Sequence, residues 1–364
     1  MLEVVAFAPY PPSGASTRYR ISQFQPALRS LGVQLDLMPL LDEPAFARLY
    51  EPGRVLAKSV DFGRALMRRW RQLAAAGRYD VAVVQRELWP ILGEGATSRL
   101  ERLQPRWVFD FDDAVFLPNV SRANRNFAWL KPRCQHSQLV AGASRVAAGN
   151  AWLAAWARSR RPERDPAEVE VIPTVVDTDA WAPRRRNAGP PRLVWIGSGS
   201  TVRYLDPLRP ALMRLTRQHP GLELHVIGAR FEAPELRVFE HRWSSATEIE
   251  LAAACDIGLA PLDDDDWSRG KCGLKLLLYL SLGLAAVASP VGVHTEILAD
   301  GANGRLAASP EAFELAIDEL LQDRTHRHAL GDAGRTTVEE RYSLRVVAPR
   351  LAALLRTAAE SSRH

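Results

Sequence analysis

Leu259-Ala-Pro-Leu-Asp-Asp-Asp-Asp-Trp-Ser-Arg-Gly-Lys-Cys-Gly-Leu-Lys-Leu-Leu-Leu-Tyr279 reads as three pieces in series. An apolar strand ends near Pro261, an acidic loop follows, and a basic, glycine-bearing helix start closes the segment. Strands buried on both faces of a parallel sheet show as short continuous apolar runs. A strand feeding a helix through a loop is the repeating unit of such a sheet. Lys271 and Lys275 are four apart, so on a helix they share one face, and Arg269 adds a third charge. Cations beside the unsatisfied N–H groups of a helix start favour phosphate. They also stabilise a leaving diphosphate without a metal. The alternative is that the acids 263–266 pair with both lysines and merely fix the loop. The chain has only four lysines, Lys58, Lys131, Lys271 and Lys275, among 47 basic residues, which makes this pair stand out.

The same alternation runs outward in both directions. Upstream, residues 3–8, 33–38, 80–84 and 107–111 read as strands, 21–31 and 55–75 as helices, and 140–148 as undecided. Residues 158–168 are polar, and 177–191 are rich in Pro, Arg and Gly. A second series follows, with strands at 193–196, 222–227, 257–260 and 285–288. Its helices are expected at 206–218, 247–254, 274–282, 310–322 and 345–359. The expected fold class is α/β, with two Rossmann-like, doubly wound domains facing across a cleft: residues 1–170, residues 171–342, and a final helix in 343–364. Ligands of such sheets bind beyond the carboxyl ends of the strands, so the default site is the cleft.

Composition narrows the class. The 364 residues, net charge +5 and pI near 9.3 suit a globular protein with a mild preference for anions. No apolar run reaches the length of a membrane span, and the N-terminus reads as a buried strand rather than a signal peptide. Cys134, Cys255 and Cys272 lack metal-ligand spacing, which fits a reducing cytoplasm.

Three other segments carry chemistry. Pro9-Tyr-Pro-Pro-Ser-Gly-Ala-Ser-Thr-Arg-Tyr-Arg20 follows the first strand, with Gly14 as a close-approach position and Arg18 and Arg20 as nearby charges. Trp195-Ile-Gly-Ser-Gly-Ser-Thr-Val-Arg-Tyr204 is the matching turn of the second domain. It offers Ser198, Gly199, Ser200, Thr201 and Arg203 to a phosphate, unless the hydroxyls only cap a helix. Val202 replaces the third glycine of a dinucleotide fingerprint, which disfavours a dehydrogenase. Trp107-Val-Phe-Asp-Phe-Asp-Asp-Ala-Val-Phe116 places Asp110, Asp112 and Asp113 at a strand's end. Asp110-Phe-Asp112 has the Asp-x-Asp form that holds a metal in some sugar transferases. Asp112 or Asp113 also suits a base or a sugar ligand, unless these carboxylates only cap the next helix.

The chain resembles the retaining glycosyltransferases of family 4, of GT-B architecture, over most of its length. The likeness rests on Val171-Ile-Pro-Thr-Val-Val-Asp-Thr178, Ala254-Cys-Asp-Ile-Gly-Leu-Ala-Pro-Leu262, Ala286-Val-Ala-Ser-Pro-Val-Gly292 and Gly301-Ala-Asn-Gly304. It implies a nucleotide-diphosphate-sugar donor held mainly by the second domain, with its diphosphate between Gly14 and Lys271–Lys275 and its base near Arg242 and Trp243. It implies a glycan or lipid-linked acceptor on the first domain and no cofactor or metal. Asp112, Asp113 and Lys275 are the expected catalytic residues, in bacterial glycan or glycoconjugate synthesis. The chain departs from the family where paired glutamates would fall at Gly270 and Leu278, and where a histidine would fall near residues 110–113. The alternatives are a non-catalytic nucleotide-sugar-binding scaffold and a GT-B-fold sugar-nucleotide epimerase. Nucleic acid is not an expected partner. The basic stretch Arg64, Leu66, Met67, Arg68, Arg69, Trp70 and Arg71 suggests peripheral contact with an anionic membrane at its inner face.

Overall fold

The computed structural model describes residues 1–49, 53–89, 94–117, 135–184 and 189–361. It divides into two compact units, Met1–Thr174 with Leu344–His364, and Val175–Ser343.

The first unit is a six-stranded sheet in the order β2-β1-β3-β4-β5-β6. The strands are β1 Leu2–Ala8, β2 Val33–Pro39, β3 Val81–Gln85, β4 Trp107–Phe111, β5 Arg145–Ala148 and β6 Val169–Val171. Every pairing is parallel, so each connection must cross over a face of the sheet. Helices covering both faces explain why β1, β3 and β4 are apolar without alternation. The helix Leu344–Glu360 packs on the helix Gln25–Ser30 and on β4 within this unit.

The second unit repeats the plan in the order β12-β11-β10-β7-β8-β9. Its strands are β7 Arg192–Ile196, β8 Glu223–Ile227, β9 Arg237–His241, β10 Ile257–Ala260, β11 Ala285–Ala288 and β12 Arg305–Leu306. All five pairings are parallel. Trp195, Leu212, Leu224, Leu259 and Ile317 belong to its core. In each sheet the chain reverses its winding once, between β1 and β3 and again between β7 and β10. A doubly wound sheet leaves a ligand crevice outside the carboxyl ends of its strands at such a point.

Four expectations need correction. The helix expected at 21–31 is a 3-10 turn, Ser22–Phe24, leading into Gln25–Ser30. The helix Leu274–Ser281 begins at its expected residue, but Lys271 lies before it. Its N-cap Gly273 sits at φ 68°, so Lys271 lies in the preceding turn and does not share a helical face with Lys275. The helix Arg324–Arg341 has no counterpart among the expected elements. The basic stretch of the helix Val55–Ala75 is not a surface stripe, because Arg69 is fully buried and donates to the carbonyls of Met38 and Ala8. Burial drives its pKa down to about 9. Arg68 also turns inward, to Leu40 O and Asp42. Residues 65, 69 and 73 share the buried face, so period alone puts Arg69 inside.

Candidate functional site

The carboxyl edge of the second sheet gathers most of the expected donor residues. β7 ends at Ile196, whose N–H donates to the hydroxyl of Tyr279 at 2.8 Å. That bond ties the strand end to the helix Leu274–Ser281. Gly197 follows, and its N–H donates to Ile227 O at the end of β8. A Cβ on Gly197 would lie 2.3 Å from the Trp195 ring and 2.8 Å from Lys275 Nζ. Only glycine lets the ammonium come this close to the turn. Lys275 Nζ sits 4.1 Å from the Trp195 ring centroid, a favourable cation–π distance.

Lys275 is half-buried. Burial first, and then the charge of Lys271, pulls its pKa down to about 7. Among the described residues no carboxylate lies within 4 Å of its ammonium. Three of the four acids of the loop are engaged within it. Asp264 and Asp266 pair with Arg269 at 2.9 and 3.4 Å, and Asp265 accepts from Ser268 N at 2.7 Å. Arg269, expected as a third phosphate charge, is therefore engaged with its own loop. Lys271 hangs from the same turn, its N–H donating to Ser268 O and its ammonium 5.5 Å from the Trp267 ring centroid. His294 lies behind the lysines, fully enclosed, with Nδ1 3.0 Å from Ser289 O. Burial brings its pKa to about 4, so it is neutral at neutral pH.

The turn 197–201 is braced by its own hydroxyls. Thr201 Oγ1 accepts from Ser198 N at 3.0 Å, and Ser198 and Ser200 hydroxyls meet at 2.8 Å. Thr201 caps no helix through its side chain, so the capping alternative does not describe it. A Cβ on Gly199 would meet open space, which leaves the backbone there accessible. Arg203 is exposed and donates to Tyr204 OH at 3.0 Å. Beyond β9, Arg242 is exposed, and Trp243 donates through Nε1 to the buried Glu248. The ends of β7, β8 and β9 touch. A Cβ on Gly228 would fall 2.3 Å from Gly197 O and 3.2 Å from Trp243 Cβ.

Residues 190–323 match a family model described as glycosyl transferases group 1. The match covers the second unit alone. It contains β7 through β12 and every cation of the donor edge. No curated protein matches the chain. Solved structures do. A glycosyltransferase from Rickettsia africae has 13% identity, 99% of each chain covered and a TM-score of 0.69. Sucrose-phosphate synthase from Thermosynechococcus elongatus has 13% identity, full coverage of both chains and a TM-score of 0.70. Anabaena Alr3699/HepE, in complex with UDP and glucose, has 14% identity, 98% of this chain and 100% of its own covered, and a TM-score of 0.64. These likenesses establish the GT-B fold.

The first unit carries the second constellation. Asp110 belongs to the core: it pairs with Arg20, both nearly inaccessible, and Arg20 also donates to Ile172 O at 2.6 Å. Arg20 is thus a buried partner rather than a ligand-facing charge. Asp110 and Asp112 do not form a joint pair of metal ligands, since the first is committed to a guanidinium. Asp112 and Asp113 instead face Arg86, at 3.6 and 3.1 Å. Asp112 Oδ1 is buried with no hydrogen bond among the described residues. Burial raises the pKa of Asp112, and Asp113 raises it further against the pull of Arg86. The two carboxylates outweigh burial at Arg86 and raise its pKa. Arg86 adopts φ 62° directly after β3, an uncommon backbone for a residue with a Cβ. Sequence reasoning missed it, and its only signal was a charge immediately after an apolar strand. Gly14 is buried against its own turn, where a Cβ would lie 2.8 Å from Tyr10 Cβ. Its small size serves packing there.

Proposed function

We propose that the chain transfers a sugar from a nucleotide-diphosphate-sugar to an acceptor hydroxyl with retention, in bacterial glycan or glycoconjugate synthesis. The observation that carries this is the ammonium of Lys275. It is seated under Gly197 at the winding reversal of the unit that matches the group 1 glycosyl transferases, with no carboxylate among the described residues neutralising it. As the bond between the anomeric carbon and the β-phosphate oxygen breaks, negative charge grows on the leaving diphosphate. Lys275 and Lys271 meet that charge from fixed positions, which is the most effective form of transition-state stabilisation. Arg203 and the N–H groups of Ser198, Gly199, Ser200 and Thr201 are assigned to the same diphosphate. Arg242 and Trp243 are assigned to the base. No metal is required in this scheme, because two ammonium groups supply the positive charge. Asp112 and Asp113 serve the acceptor side.

The test is the pH dependence of nucleoside diphosphate binding. Lys275 carries its charge below about pH 7 and loses it above. Bound phosphate raises that value by favouring the charged form. Affinity is therefore expected to fall as pH rises through and beyond neutrality, and Lys275→Met is expected to lack this phase. Ionisation of the terminal phosphate, near pH 6, acts in the opposite sense and equally on both proteins. Identical pH profiles for the two proteins contradict the assignment.

Peripheral contact with an anionic membrane is proposed for the outward face of the helix Val55–Ala75. Leu56, Val60 and Met67 stand exposed there, with Arg64 and Arg71 also exposed. Flotation with anionic vesicles is expected to recover the wild type and to lose Leu56→Asp/Val60→Asp. Equal recovery of both overturns this reading.

A further inference from the structure

A cavity of about 190 Å³ opens at the carboxyl edge of the first sheet. It lies where the winding of that sheet reverses, since Pro9 and Tyr10 follow β1, Leu40 and Leu41 follow β2, and Glu87 follows β3. Nothing in the donor scheme uses it. Its walls are chiefly apolar: Tyr10, Leu40, Leu41, Ala45 and Phe62 surround it. Leu49 is a further wall and is 41% exposed, so the apolar lining continues to solvent. Three charged residues border it. Asp61 pairs with Arg48 at 2.8 Å, and Lys58 and Glu87 complete the polar edge. Glu87 is the neighbour in sequence of Arg86, the residue that holds Asp112 and Asp113. Tyr10 and Glu87 also lie close enough to Arg86 to act on its guanidinium. The cavity and the carboxylate pair are thus parts of one local cluster.

We infer that this cavity seats the alkyl chain of an amphiphilic acceptor, whose hydroxyl is presented to the Asp112–Asp113 pair. The inference rests on the transferase reading above and deepens it by naming the acceptor class. The volume exceeds the ~150 Å³ at which an apolar protein cavity takes up a benzene-sized molecule. It is too small for a whole lipid, so a longer chain must leave past Leu49. A free sugar would bury hydroxyls against Leu40, Leu41 and Phe62 without partners, at a cost an alkyl chain avoids.

The test uses methyl, butyl and octyl glucosides below their micelle thresholds as probes, with binding to the intact protein measured by titration. Each buried methylene strengthens binding about fourfold, so octyl glucoside is expected to bind at least ~10-fold tighter than methyl glucoside. Ala45 is 8% exposed and lines the cavity. Ala45→Phe fills the cavity and is expected to erase the chain-length preference. Ala45→Leu, a smaller intrusion, is expected to reduce it and keeps the test valid should the phenylalanine variant not fold. Equal affinity across the glucosides overturns the inference, and so does a preference that both variants retain. Donor hydrolysis measured in the same samples judges the transferase reading separately, because Ala45 belongs to the first unit and the donor lysines to the second.

Discussion

Lys275→Met is expected to raise the melting temperature while lowering donor turnover about 10²- to 10³-fold. The two effects share one cause. A lysine whose pKa falls from 10.5 to about 7 on folding binds its proton more weakly in the native state than in the unfolded chain. The sign follows directly. Below pH 7 both states are protonated and the native state carries the full cost of a desolvated charge. Between pH 7 and 10.5 the cost shrinks, and above 10.5 it is gone. Methionine fills a similar volume without that cost. Every tenfold loss of proton affinity on folding is worth about 1.4 kcal/mol, but the side chain is only half-buried and forfeits its contact with Trp195. A gain of about 1–3 kcal/mol at pH 7 is the expected net, or a few degrees of melting temperature. The gain should be largest below pH 7 and vanish toward pH 10.5. The turnover loss follows from removing a preorganised charge at a leaving group. Calorimetric melting and donor hydrolysis, run across pH on both proteins, check the pair of effects. A variant that melts lower and turns over normally contradicts both.

The aspartates of 110–113 should separate just as sharply. Asp110→Ala strands Arg20, which is 2% exposed, and an unpaired buried charge costs about 3–5 kcal/mol. Asp112→Asn leaves Arg86 paired with Asp113 at 3.1 Å and keeps the local shape. Its stability change is expected to be below about 1 kcal/mol, while transfer falls about 10²- to 10⁴-fold, the usual worth of a positioned proton-transfer group. Urea unfolding and transfer assays on the two variants read this out. If Asp110→Ala is stable and inactive, Asp110 belongs to the chemistry and the present division of roles fails.

Much of the fold was legible because parallel strands must be apolar on both faces. Trp107–Phe111, Ile257–Ala260 and Ala285–Ala288 stand out as uninterrupted runs between polar loops. The helices Val55–Ala75 and Pro310–Gln322 show clear periodicity. The helix Arg324–Arg341 does not, because Arg327, Gly331 and Gly334 supply much of its buried face. A Cβ on Gly331 would fall 2.1 Å from Gly283 O, so this helix packs by close approach rather than by an apolar stripe.

The site was legible in part. The clustering of lysines pointed to the donor edge, yet the left-handed backbone of Gly273 ends the inference that both share a helix. The seat of Lys275 depends on Trp195 and Gly197, brought to it by strand order rather than by chain proximity. The partners Arg20–Asp110 and Arg86–Asp112 are 90 and 26 residues apart, joined only once β1, β3 and β4 lie side by side. Spacing in the sequence carries no trace of such pairs.

The function proposed for this chain turns on Lys275 gripping the donor's diphosphate. The most direct test titrates wild type and Lys275→Met with a panel of nucleoside diphosphates and their parent nucleosides. At about pH 6.5 the lysine still carries its charge. The variant is expected to lose about 100-fold in affinity for the diphosphates, the scale of a lost charge-assisted contact, and to keep its affinity for the nucleosides. Equal diphosphate affinity in the two proteins would contradict the assignment.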